Sequence, residues 1–389
     1  MVVPATPTRR TLASRALLAV VPLCAVGSVR AQFPALSPTT STSIVVNVTL
    51  FHYSSILIPT GVTVRFIAPV GPVPLPAVIL CDGDAFVHGT LSVAGGVVTL
   101  TGSVPHRAAG MVTTGLGLGG GWCPNSNLFN PPRGGRHAGT YGSVLPFSLD
   151  GGSQGGDLGI LGDPFCSFQY SIPYAEGGGT LVLHAGGRIV VDGTITADGQ
   201  SVISGGSGGS ILLRGDTSVT VLPGGSVVAR GGAAGAPAPW VLPSPTSVGA
   251  PGYIRLDAWG ALPSIQGTVA PVPTVLELPY LRSPSHPHIG TTWTCDVFAP
   301  SFSPVFVAAS PTPDNGTPTP FGPLGIDLPS ATILAYAALA SGVDDPVLSV
   351  STPVPNSQTL VGLAVWIQAL VMPPTLPGRL SNTLALVVQ

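Results

Sequence analysis

The stretch from Gly177 to Gly232 states one short theme twice, and no other feature of the chain constrains its fold as strongly. Thr180-Leu-Val-Leu183 returns as Ser210-Ile-Leu-Leu213, a step of 30 residues, with further copies at Tyr253-Ile-Arg-Leu256 and Ala77-Val-Ile-Leu80. A second signature follows each copy: Gly89-Thr-Leu-Ser-Val93, Gly193-Thr-Ile-Thr-Ala197, Gly225-Ser-Val-Val-Ala229 and Gly267-Thr-Val-Ala270. Between the two lies a middle strand, clearest at Arg188-Ile-Val-Val191 and Ser218-Val-Thr-Val-Leu222. Residues two apart share one face of a strand. Leu181 and Leu183, Ile211 and Leu213, and Ile254 and Leu256 are therefore expected core pairs, and Arg255 marks the outward face. In the second signature Leu91/Val93, Ile195/Ala197 and Val227/Ala229 point inward. Glycines at the corners supply backbone angles closed to other residues.

A single unit of this kind cannot bury its apolar face, whereas stacked units can. The reading is an all-β chain: a right-handed parallel β-helix (solenoid) over residues 32–270, followed by a small C-terminal β-sandwich over 291–389. An ordinary sandwich with glycine turns is the alternative for the first part. Gly and Pro number 52 and 43, a content that without periodicity would suggest disorder. Strand alternation and 44% hydrophobic residues argue instead for an ordered, Gly-cornered β protein. The Pro-rich run from Pro271 to Pro287 breaks the repeat, so 271–290 reads as a linker. Beyond it, strands are expected at Thr292–Phe298, Pro304–Ala309, Thr332–Tyr336, Val347–Val350, Leu360–Val371 and Ser381–Val388.

Residues 1–31 have the layout of an export signal: Arg9, Arg10 and Arg15, then the apolar Ala16–Val26, then Val29-Arg30-Ala31 before an expected cleavage at Gln32. The apolar segment is too short to span a membrane, and no run of ~18 apolar residues follows, so no transmembrane span is expected. The chain has no lysine, and four of its fourteen arginines lie in the signal. Against sixteen Asp and Glu, the mature chain would be acidic and would lack a basic stripe for nucleic acid. The expected location is secreted or cell-surface. Four cysteines follow the signal, Cys81, Cys123, Cys166 and Cys295, and an exported chain can pair them. Cys123 with Cys166 is the expected disulfide, because both lie in one loop-rich insertion; four separate thiols are the alternative.

That insertion, residues 96–177, loses the strand period and collects polar side chains: Arg133, Arg136, His137, Asp150, Asp157 and Asp163. With Trp122 and Tyr141 these are the candidate glycan or partner contacts, and Trp240 is a further exposed-aromatic candidate. The insertion is equally readable as an irregular corner. Asp82-Gly83-Asp84 is half of a calcium loop, so Asp82 and Asp84 are the candidate metal ligands and calcium the one candidate cofactor; a solvated acidic turn is the alternative. Asp192, Asp198 and Asp216 could supply acid and base on one face, yet no column of acids builds up from copy to copy. His286-Pro-His288 sits in the Pro-rich run, where metal chelation competes with simple exposure, and His184 should face outward. No Gly-x-Ser-x-Gly elbow has a helix after it, and no nucleotide fingerprint has a βαβ setting.

Taken together, the segments GGGTLVLHAGGRIVVDGTITADG, GGSGGSILLRGD and GGSVVARGG resemble Gly-rich parallel β-helix segments of large secreted bacterial proteins, over residues 77–270. The tail from Val354-Pro-Asn through Leu360-Val-Gly and Gln368 to Ser381-Asn382 resembles a C-terminal β-sandwich module recurrent in exported bacterial proteins. The resemblance implies an extracellular repeat scaffold and does not imply a reaction. Three functions are in view. The leading expectation is an exported, non-catalytic structural or adhesive surface protein whose partner is an extracellular glycan or surface protein. The alternatives are a carbohydrate-active enzyme of the β-helix type, polysaccharide lyase or glycoside hydrolase, and a glycan-binding protein.

Overall fold

A computed structural model describes residues 33–46, 48, 50–67, 76–95, 97–99, 173–175, 177–201, 205–233, 248–300, 303–338 and 347–389. After β1 (Thr42–Val45) the chain winds through coils of three short strands. The first coil is β2 (Phe51–Tyr53), β3 (Ile56–Ile58) and β4 (Thr63–Ile67); the second is β5 (Ala77–Cys81), β6 (Ala85–Val87) and β7 (Thr90–Ser92). An antiparallel pair, β8 (Val97–Thr99) with β9 (Pro173–Ala175), then brackets the insertion. The third coil is β10 (Thr180–Ala185), β11 (Arg188–Val191) and β12 (Thr194–Thr196), and the fourth is β13 (Ser210–Gly215), β14 (Ser218–Val221) and β15 (Ser226–Val228). The fifth is β16 (Tyr253–Trp259), β17 (Ser264–Ile265) and β18 (Thr268–Ala270), after which β19 (Thr274–Leu278) begins one more turn.

Corresponding strands stack in parallel into three sheets: β2-β5-β10-β13-β16-β19, β3-β6-β11-β14-β17 and β1-β4-β7-β12-β15-β18. This is a parallel β-helix. The 30-residue step is the observed register, with Thr180 beside Ser210 and Leu183 beside Leu213. In the second signature Thr90, Thr194, Ser226 and Thr268 fall in one column. The copy at Ala77 is one place out, because Ala77 lies beside Leu181 and Ile79 beside Leu183. A one-residue slip exchanges the faces of a strand, so Ile79, not Leu80, enters the core. The interior is a stack of Val, Ile, Leu and Ala in which Leu183, Leu213, Ile189, Val219, Ile195 and Val227 are all fully buried.

The corner glycines have a different cause from the one expected. Among the described residues, none of those at the third-to-first-sheet corner adopts a positive φ. They are there because neighbouring coils meet backbone to backbone: a Cβ on Gly209 would overlap the Gly179 carbonyl oxygen, and one on Gly252 would overlap that of Gly209. The close approach lets Gly209 N–H donate to the Ala197 carbonyl (2.7 Å) and Gly252 N–H to that of Ala229 (2.7 Å).

The residues read as a linker carry two strands. One is β19, the last strand of the first sheet, and the other is β20 (Tyr280–Arg282), which opens the antiparallel part of the chain. There β20 pairs with β21 (Thr292–Phe298), and β21 with β26 (Val347–Pro353). A second sheet holds β22 (Pro304–Ser310), β25 (Thr332–Ala338), β27 (Ala364–Val371), β28 (Arg379–Leu380) and β29 (Leu384–Val387). The sequence reading missed a hairpin, β23 (Pro313–Thr319) with β24 (Gly322–Ile326), whose first strand holds two prolines and no apolar alternation. Trp293, Cys295 and Val297 from one sheet meet Val305, Val307, Ile367 and Ala369 from the other in a common core.

The polar residues of the tail pattern have structural work. Buried Gln368 accepts from Gly325 N–H (3.0 Å) and donates to the Pro323 and Ser381 carbonyls (3.1 and 3.0 Å). Asn382 satisfies both backbone groups of Leu281, accepting from its N–H (2.7 Å) and donating to its carbonyl (2.9 Å). A buried amide with all its partners supplied fixes one arrangement of the strands around it.

The antiparallel module packs on the outward face of the first sheet. Trp259 and Leu278 belong to its core cluster, and the Arg255 guanidinium lies 5.0 Å from the Phe298 ring centroid. Arg255 is thus outward in register, as expected, yet covered and not in solvent. Beneath it Asp257 accepts from Arg214 Nε and Nη2 (3.1 and 2.7 Å) and from Arg255 Nε and Nη2 (2.8 and 2.6 Å). All three side chains are buried.

Candidate functional site

The most developed polar surface among the described residues is the outward face of the second sheet, where the second and third coils meet. Phe86 lies in register with Val190. Alternation then places Asp84, Phe86 and His88 along one coil over Arg188, Val190 and Asp192 along the next. Acidic and basic residues face each other crosswise. Asp84 accepts from the backbone N–H and the Nε of Arg188 (2.9 and 3.0 Å), and His88 Nδ1 contacts Asp192 Oδ1 at 2.6 Å. Between these pairs the Arg188 guanidinium lies 5.1 Å from the Phe86 ring centroid, and the His88 ring is almost parallel to that of Phe86 at 6.0 Å. No local motif marks the set, because 104 residues separate its two halves. The one available signal was the outward spacing Asp84-x-Phe86-x-His88 against Arg188-x-Val190-x-Asp192.

The same device recurs on the first sheet. His52 Nε2 meets Asp82 Oδ1 at 2.8 Å, joining the first and second coils. His184 Nε2 meets Asp216 Oδ1 at 2.9 Å, joining the third and fourth. In both cases the histidine side chain leaves the outward face of its strand, as expected for His184, and the aspartate lies at the corner just past the neighbouring strand.

Asp82 faces His52 and Asp84 faces Arg188. Among the described residues no group of three or more His, Cys, Asp or Glu side chains could hold a metal ion. Asp192 and Asp216 belong to the histidine pairs, while Asp198 accepts from the Arg230 N–H at 2.5 Å, so the three acids serve separate contacts. His286 Nδ1 lies 3.5 Å from Val387 N, while the His288 carbonyl accepts from the Thr291 hydroxyl at 2.8 Å. Arg133, Arg136, His137, Asp150, Asp157, Asp163, Trp122, Tyr141 and Trp240 lie outside the described residues, as do Cys123 and Cys166.

Cys81 and Cys295 are free, each in a different core. Burial pushes the Cys81 thiol up to about 11 and the Cys295 thiol up to about 12. Both therefore keep their protons at neutral pH, whereas nucleophilic cysteine chemistry needs the thiolate. Asp84 and Asp192 stand four positions apart along their coils, or roughly 13 Å at the rise of a strand. A pair of glycosidase carboxylates lies about 5–10 Å apart. The arrangement suits holding coils together and presenting a mixed aromatic and charged surface.

Comparison with protein-family models, curated proteins and solved structures finds no match for the chain. Among the described residues no helix is long and apolar enough to cross a membrane.

Proposed function

We propose that the chain is an exported, non-catalytic structural or adhesive surface protein, a rigid rod of stacked coils carrying an antiparallel module on its flank. The observation that supports this reading most is the pairing of outward acids with basic side chains of neighbouring coils: His52 with Asp82, Asp84 with Arg188, His88 with Asp192 and His184 with Asp216. Catalysis by carboxylates relies on acids whose environments drive their proton affinities apart. Here each of these acids meets a basic side chain of a neighbouring coil. Export follows from the signal-like residues 1–31, and N-terminal sequencing of the secreted chain should begin at Gln32. The extracellular partner is a glycan or surface protein.

The test is incubation of the purified full chain with a panel of plant, algal and bacterial polysaccharides, together with a glycan array and whole-cell binding. The expected result is no release of reducing or unsaturated ends, with retention on a surface. Turnover of any polysaccharide would replace this reading with the carbohydrate-active one.

A further inference from the structure

We infer that the C-terminal end of the solenoid is a self-association surface, on which a second copy of this chain docks end to end. The last coil turns core positions toward solvent. Ile265 continues the column of Val221, and Val275 that of Leu256, yet each is 38% exposed where the residues they follow are fully buried. At the rim Leu262 is 63% and Val272 91% exposed. The strands that carry this surface, β17, β18 and β19, each end the order of their sheet. The surface is therefore continuous with the coil-to-coil interface: it is the edge that every earlier coil offers to its successor, here with no successor among the described residues. An occupant that fits it brings apolar side chains and a free strand edge of its own.

Electrostatics and the opposite end narrow the choice to a copy of the same surface. Residues 260–275 contain no charged residue, and Glu277, which continues the column of Ala258, pairs with Arg379 (3.3 Å), so two copies of a net-negative chain can meet there without unpaired like charges opposed. At the other end Leu36 bridges Ile56, and the core position Ile56 is covered. Joining the open end to that covered end would generate a row without limit, whereas two open ends related by a two-fold axis close on themselves. Pro263, Pro271 and Pro273 flank the terminal strands and keep their edges short, which opposes indefinite strand addition and suits a closed pair.

The experiment is analytical ultracentrifugation of the full mature chain from low micromolar to several hundred micromolar. The expected result is a monomer–dimer equilibrium that saturates at two copies. Leu262→Glu with Val272→Glu, at two exposed positions, should weaken the dimer at least ~10-fold by setting like charges at the contact. Val272→Glu alone should weaken it in the same direction, and it serves if the double variant loses its native circular dichroism. A chain that stays monomeric throughout, one that grows beyond two copies, or folded variants that dimerise like the parent would each overturn the inference.

Discussion

Replacing Gly209 by alanine tests the idea that backbone proximity between coils, rather than backbone angle, dictates the glycine corners. An alanine Cβ at this position would overlap the Gly179 carbonyl oxygen and stand 2.7 Å from the carbonyl carbon of Gly178. Neither neighbour is the movable end of a side chain, so relief requires the third and fourth coils to part. That movement would stretch the Gly209 N–H bond to Ala197 (2.7 Å) and the Ser210 N–H bond to Gly179 (3.1 Å). Two hydrogen bonds at about 1 kcal/mol each, with about 1–3 kcal/mol for overpacking, give an expected loss of about 3–5 kcal/mol. Gly224→Ala is the matched control, because its Cβ would meet only the Asp192 carbonyl oxygen, at 3.5 Å. That variant should stay within ~0.5 kcal/mol of the parent, as surface changes usually do. Urea unfolding followed by circular dichroism reads both. Equal midpoints for Gly209→Ala and the parent, or an equally severe Gly224→Ala, would refute the reasoning.

Asp257→Ala removes the carboxylate that holds two buried guanidiniums, and breaking a buried pair of this kind costs about 3–5 kcal/mol; a thermal-unfolding loss below ~1 kcal/mol would contradict the clamp. By contrast, Asp84→Asn and Asp192→Asn act at partly exposed pairs and should each cost no more than ~1 kcal/mol in the same assay. The two thiols set an alkaline limit. An unfolded thiol loses its proton near its ordinary value of 9.0, while folded Cys81 and Cys295 hold theirs to about 11 and about 12. Their contribution to stability is therefore complete below pH 9 and declines as pH rises through that window. The urea midpoint should fall from pH 9 to pH 11 more steeply in the parent than in a Cys81→Ala, Cys295→Ala variant, and parallel slopes would refute the assignment.

The solenoid could be read from the sequence because its signal is local and repeated. The pairs Leu181/Leu183 and Ile211/Leu213 carry the period of a strand, and Gly193-Thr-Ile and Gly225-Ser-Val fix the register of the third sheet. The Ala77 copy was misaligned by one place because Ala-Val-Ile-Leu is apolar at every position and offers no alternation to align by. Similarly, Arg255 revealed its face but not its cover, since Phe298 approaches it from 43 residues further along the chain. The crosswise contacts of Asp84 and His88 with Arg188 and Asp192 were not legible for a related reason: their partners are neighbours only once the second and third coils have stacked. Gln368 and Asn382 were visible as a pattern, and their roles emerged with the strands they join.

The way the second coil meets the third has a consequence for how such a chain can change. Strand β7 pairs with β12, and Gly179 N–H donates to the Val93 carbonyl (2.7 Å), as if the residues between them were not there. The pair β8 and β9 brings the two ends of that segment together. Because the entropy of closing a loop grows only with the logarithm of its length, this gateway can accept cassettes of very different size at little expense to the rod. Change in that segment can thus proceed at one doorway while the stack behind it keeps its register.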